Sequence, residues 1–313
     1  MNPSCANNKW IFGGHRGMGC TDHDFYQDRD IGKLPVENTI DSIVLALKNG
    51  AAYVECDAVP TADGQVVIIH NVVPADHFFG PDTPHAMLNT LAYTQISRFA
   101  TGRHSRGIVP LISDALKTVA PYTPGIGDFN MNIEIKGGQG SGQPYETGSF
   151  LENLARDVRA SAVPLNRVLF SSFSLANILA MSHLVPEARY GMLYNEKTVS
   201  TPIYADHGDD LKYRYLPFGI ENMQYVAATW KDEGHADAQL SYVHPETRTI
   251  TLELIAHAAI QGWAINTWDY LRAFDKSLVN DYRHIHQLCS DNGIPVTFIT
   301  DYIPEMRRAL GLR

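Results

Sequence analysis

Glu55 and Asp57 stand two apart in YVECDAV, and Glu134 and Lys136 repeat that spacing in NIEIKGG. In an extended strand, residues i and i+2 share a face, so each pair presents two ionisable groups to one side. Two carboxylates on one face repel unless a cation lies between them. On spacing alone, Glu55 and Asp57 also suit a solvent-facing strand edge. Glu134 and Lys136 likewise suit a buried ion pair. Taken together, Glu55, Asp57 and Glu134 form an all-oxygen donor set, which takes one divalent cation, Mg²⁺ or Ca²⁺, in preference to Zn²⁺.

The other reactive groups are cationic or proton-moving. FGGHRGMG, residues 12–19, sets His15 and Arg16 between glycines at the end of the first apolar run. Arginine is a planar fork for phosphate or carboxylate, and histidine moves protons near neutral pH. His70 closes a second apolar run, GQVVIIHN. Any single histidine among thirteen is as readily structural. Two of them, each adjoining a strand of acids, are suited to the base and the acid that cleavage of a P–O bond needs. With a divalent cation added, Glu55, Asp57, Glu134, Arg16 and Lys136 leave one net positive charge, which matches a phosphodiester monoanion. PVENTI adds Glu37, placed to orient Arg16 or to stand behind the metal's ligands. Asn38 is a candidate for the same support, although Asn38 or Thr39 also fits the N-cap of the helix that follows.

These residues need strands to carry them. WIFGG, YVECD, NIEIK, RVLFSS, ARYGMLY, QYVAATW, WAINTW and VTFIT read as strands. Most are separated by helical patterns such as NTIDSIVLALKNG and SLANILAMSHL. Eight strands with interleaved helices predict a closed α/β barrel of the (β/α)₈ type, with a doubly wound open sheet as the alternative. The barrel places Glu134 and Lys136 inside its C-terminal mouth, where such folds keep their sites. TADGQVVIIHN leaves no room for a helix after the second strand. Its D-G turn predicts an extra antiparallel strand that sets His70 opposite Cys56, between Glu55 and Asp57.

Length and composition bound the rest. The chain has 313 residues, 44% hydrophobic and 19% charged, as expected of a globular protein read here as one domain over 1–313. Insertions are expected at roughly 71–110 and 196–250. The second is acidic in DHGDD and aromatic in YRY, features suited to a cationic alcohol. The formal charge of −9 argues against nucleic acid as a partner. The four cysteines have no zinc or redox spacing and read as reduced thiols. The first fifteen residues show no secretory pattern, and no apolar run nears the ~20 residues of a membrane span, so a cytoplasmic protein without a stable membrane anchor is expected. Nothing in the sequence sets an oligomeric state.

The ordered set GHRG, ENT, GAAYVECDAVPTADGQVVIIHN and IEIKG resembles the glycerophosphodiester phosphodiesterases, with weaker agreement in LFSSFS, AINTWDY and FITDYIP. The resemblance spans almost the whole chain. It implies a (β/α)₈ barrel and hydrolysis of a small glycerophosphodiester to sn-glycerol 3-phosphate and an alcohol. It further implies a metal on Glu55, Asp57 and Glu134, acid–base roles for His15 and His70, and substrate contacts from Arg16, Lys136 and Trp268. The chain departs from the family in three places. Asn71 stands where the family has Asp, so position 71 is not expected to ligate the metal. Asp269 and Tyr270 follow Trp268 in place of Thr-Val-Asn. The spacer of about twenty residues between HRG and ENT resembles that of the longer eukaryotic-type enzymes. Two other classes compete. One is another barrel phosphodiesterase, sphingomyelinase D-like or phosphatidylinositol phospholipase C-like, and the other is a silent binding barrel. HRG with ENT argues against the first, and the intact set of histidines and acids against the second.

Overall fold

Eight parallel strands close into a ring in this computed structural model, which describes residues 9–19, 34–71, 86–97, 100–101, 107–122, 128–136, 147–194, 201–202, 210–269 and 274–312. In chain order the strands of the main sheet are β1 (Phe12–Gly14), β2 (Tyr53–Pro60), β3 (Val66–Ile68), β4 (Met131–Ile135), β5 (Val168–Ser172), β6 (Arg189–Leu193), β7 (Gln239–His244), β8 (Ala264–Trp268) and β9 (Val296–Thr300). The ring runs β1-β9-β8-β7-β6-β5-β4-β2 and is sealed by pairing of β1 with β2. That seal excludes the open sheet. β3 lies outside the ring, antiparallel to β2. It finds room because β1 is only three residues long and pairs with Tyr53 and Val54, leaving the far end of β2 unpaired on that side.

The outer helices are α1 (Ile40–Lys48), α2 (Ile112–Val119), α3 (Thr147–Ala160), α4 (Leu175–Leu184), α5 (Ile220–Glu233), α6 (Leu252–Gln261), α7 (Lys276–Asp291) and α8 (Ile303–Ala309). Outward strand residues such as Val54, Cys56, Ile133, Phe170 and Met192 pack against them in one large core. Inward residues Tyr53, Phe129, Leu169, Tyr242, Ala264 and Ile299 form a separate cluster inside the barrel. Above it, the Tyr53 hydroxyl donates to Asn266 Oδ1 at 2.5 Å, and the Ser171 hydroxyl donates to Asn132 Oδ1 at 2.9 Å. The floor of the mouth is therefore polar and hydrogen-bonded, with apolar packing beneath.

Two sequence expectations are corrected. QYVAATW is not a strand: it lies within α5, where Met223 and Val226 face the core at helical spacing. The β-branched and aromatic content of the stretch imitates a strand, but its burial follows a helical period. The strand at this place in the ring is instead β7, in a stretch read as loop. A register shift between Leu240 and Tyr242 breaks its alternation, which hides the strand from a period-two pattern. Residues 220–244 thus belong to the barrel wall and not to an insertion. Residues 206–209 of DHGDD, Tyr270, Cys5, Cys20 and much of 71–110 lie outside the described residues.

Candidate active site

The turn after β1 fixes the first group. Gly17 has φ 75° and backs directly onto Ser42 and Ile43, so only glycine fits there. Arg16 itself has φ 49°, and its backbone N–H donates to Glu55 Oε2 at 2.8 Å. The Ser42 hydroxyl donates to the Arg16 carbonyl at 3.0 Å, tying this turn to α1. Thr39 is the N-cap of α1 and forms a capping box with Ser42. Asn38 is thereby released from capping. At φ 52° it grips Asp57 twice, donating from Nδ2 to Oδ2 at 2.7 Å and accepting the Asp57 N–H at 3.1 Å. Two non-glycine residues in the left-handed region, both on site residues, mark local strain held by its surroundings. Glu37 accepts from Arg16 Nη1 at 2.9 Å, and so orients the guanidinium.

Glu55, Asp57 and Glu134 converge as β2 and β4 pair in parallel, with Asp57 opposite Glu134. One oxygen from each lies within 4.8 Å of the others. Lys136, 2% exposed, reaches Asp57 Oδ1 at 3.1 Å and Glu134 Oε1 at 3.0 Å. Arg16 Nε lies 3.4 Å from Asp57 Oδ2. Burial pushes the Glu55 carboxyl well above the usual range, and Asp57 adds to the shift. Glu134 is raised by burial as well, against the pull of Lys136. Burial also works against charge on Asp57, but Lys136, His70, Arg16 and the Asn38 amide together hold that carboxyl well below its usual range. Positive side chains therefore stabilise one carboxylate fully and leave two short of charge. An all-oxygen set with that deficit fits a hard divalent cation.

The hairpin carries His70 as its spacing predicts. β2 and β3 pair Ala58 with Ile68 and Val59 with Val67, a register that continues to His70 opposite Cys56. Its Nδ1 donates to Asn71 Oδ1 at 3.0 Å, which leaves Nε2 for the cavity. Burial, then Arg16 and Lys136, hold His70 well below the usual imidazole range. His15 is anchored differently, with Nδ1 at 3.2 Å from Asp301 Oδ2. Burial opposes its charge, but Asp301 and Glu55 overcome burial and Arg16 and raise it.

These groups face a cavity of about 310 Å³ at the C-terminal mouth. Of the residues singled out in the sequence, His15, Arg16, Glu55, His70, Glu134, Lys136 and Trp268 line it. Asp57, Glu37 and Asn38 lie just behind, each less than 10% exposed. The sequence reading set Asn71 aside as a metal ligand without giving it the role of holding His70, and it missed Asp301, Phe173, Leu193 and Glu246. Asp301 follows directly on β9 in FITDYIP, and an acid at the C-terminal end of a barrel strand was the signal available. Trp268 is held by its indole N–H, which donates to the His244 carbonyl at 3.3 Å.

Fold and mouth together define a (β/α)₈ barrel with a carboxylate and histidine centre. The profile of the Glycerophosphoryl diester phosphodiesterase family matches residues 15–291. The chain belongs to that family and is a glycerophosphodiester phosphodiesterase. Comparison with curated proteins by sequence gives no match. Solved structures share the fold at low identity. A Galdieria sulphuraria protein aligns over 97% of this chain and 98% of its own, with TM-score 0.66 and 19% identity. A phosphodiesterase of Oleispira antarctica, solved with the product sn-glycerol-3-phosphate, aligns over 96% of each chain with TM-score 0.62 and 17% identity. A glycerophosphodiester phosphodiesterase of Parabacteroides distasonis gives TM-score 0.62 and 16% identity over 96% of each chain.

Proposed function

We propose that this enzyme hydrolyses small glycerophosphodiesters to sn-glycerol 3-phosphate and an alcohol, with one divalent cation, Mg²⁺ or Ca²⁺, held by Glu55, Asp57 and Glu134. The convergence of those three carboxylates within 4.8 Å, between two separately anchored histidines, is the observation that carries the reading. Bound there, the cation would polarise a phosphoryl oxygen and offset charge that develops as the diester is cleaved. Arg16, aimed by Glu37, and Lys136 bind the phosphate anion beside it. His15 and His70 divide the proton transfers, one taking a proton from the attacking oxygen and the other giving one to the leaving alcohol. Asp301 stabilises His15 as imidazolium, and Asn71 fixes the ring of His70. The sn-glycerol-3-phosphate in the Oleispira antarctica structure supports the same product here.

No helix among the described residues is long and apolar enough to cross a membrane. Cys56 and Cys289 are buried free thiols among the described residues. The test is ³¹P NMR of the purified enzyme with glycerophosphocholine and, separately, with lysophosphatidylcholine micelles. The expected result is a sn-glycerol 3-phosphate signal from the first substrate. Turnover of the lipid alone would contradict the proposal.

A further inference from the structure

We infer that Tyr282, on α7, is a positioning residue for the reaction: its hydroxyl joins Asp269 after β8 to Thr300 at the end of β9, and thereby fixes the turn that aims Asp301 at His15. The inference rests on the proton-transfer role proposed above for His15.

Tyr282 is fully buried and does not line the cavity. Its ring stacks on Phe298 of β9, with centroids 4.3 Å apart. A phenyl ring would fill the same space, so packing alone does not call for a hydroxyl there. A buried hydroxyl costs stability unless it is hydrogen-bonded. This one is engaged at two strand ends. It donates to Asp269 Oδ2 and is hydrogen-bonded to the Thr300 side chain. β8 and β9 pair Trp268 with Ile299, which sets Asp269 level with Thr300 and lets one hydroxyl serve both.

Thr300 is where this chain of bonds reaches the site. Its carbonyl accepts the His15 N–H at 3.3 Å. Its Oγ1 accepts the Tyr302 N–H at 3.2 Å and closes a turn with Asp301 in the middle. Asp301 Oδ2 in turn lies 3.2 Å from His15 Nδ1. The Tyr282 proton goes to Asp269, so the Tyr282 oxygen takes the proton of the Thr300 hydroxyl. Each hydroxyl therefore has one orientation, and the turn that carries Asp301 is held from behind. A proton-transfer group must sit within hydrogen-bond reach of its target, and a small displacement of it costs rate.

The experiment measures kcat and KM on glycerophosphocholine for Tyr282→Phe and Thr300→Val, each alone and each combined with His15→Ala. In the otherwise wild-type enzyme, each should lower kcat about tenfold and change KM less than twofold. In the His15→Ala background, each should change the residual kcat less than twofold, because the group that they position is gone. A wild-type kcat in Tyr282→Phe overturns the inference and leaves the proposed function standing. An equal loss in both backgrounds also overturns it, since a purely structural role lowers both rates alike. Near-full activity of His15→Ala alone contradicts the role proposed for His15, and the inference falls with it.

Discussion

His15 and His70 face one cavity but are held by chemically different partners, a carboxylate at Asp301 and an amide at Asn71. His15→Ala and His70→Ala should each lower kcat by about 10²–10⁴, the usual contribution of acid–base catalysis. The double variant should be little worse than either single one, because groups that act as a unit are not additive. Steady-state kinetics on glycerophosphocholine reads both effects, and near-full activity in the single variants would contradict the proton-transfer roles. A p-nitrophenyl leaving group needs no proton, so one of the two variants should be rescued on that ester and the other should not. Asp301→Asn should lower kcat less than His15→Ala does, with KM nearly unchanged, since Asp301 acts through the ring. HRG, ExD and ExK were legible because side-chain period and chemistry are local properties. Asp301 was not, because 286 residues separate it from His15, and only pairing of β1 with β9 brings them together.

The elements that hold the site are braced at two turns. Behind β1, the glycine at position 17 lets the Arg16 turn lie flat on α1, and Gly17→Ala should cost more than about 1 kcal/mol in urea unfolding. Behind β7 and β8, Thr247 hydrogen-bonds the Thr267 hydroxyl at 2.9 Å and donates to the Trp268 carbonyl at 3.2 Å. Asp269 joins this clamp by accepting from the Tyr282 hydroxyl. Burial raises the Asp269 carboxyl to about 6, above the 3.8 of an exposed aspartate, and the bonds from Tyr282 and Thr247 offset part of the shift. The folded protein therefore holds this proton more tightly than the unfolded chain. The stability it lends is full below pH ~4 and is lost as pH rises from about 4 to 6, on the order of 3 kcal/mol. Asp269→Asn abolishes that loss, so the variant should gain stability relative to wild type between pH 4 and 7. A constant difference across urea titrations over that range would contradict the buried-acid account. The D-G hairpin was readable down to its register, because a turn centred on Asp63 by itself fixes which residues pair across it. β7 was not, because its register shift and polar ends erase the alternation that sequence reading depends on.

At the scale of the whole molecule, closure is what makes the site. The acids come from β2 and β4, the histidines from the turn after β1 and the end of the hairpin, and Trp268 from β8. Each is weak alone, and the ring sets them around one cavity. The barrel class was legible because strand and helix patterns alternate along the chain, whereas sealing of β1 against β2 is a tertiary fact that no local window carries. The central claim is that the carboxylate cluster works by holding a divalent cation. Enzyme stripped with EDTA and assayed on glycerophosphocholine tests it most directly. Activity should be lost and should return on titration with Mg²⁺ or Ca²⁺, with Glu134→Gln needing at least tenfold more metal for half-recovery. Full hydrolysis by the stripped enzyme in metal-free buffer would contradict it.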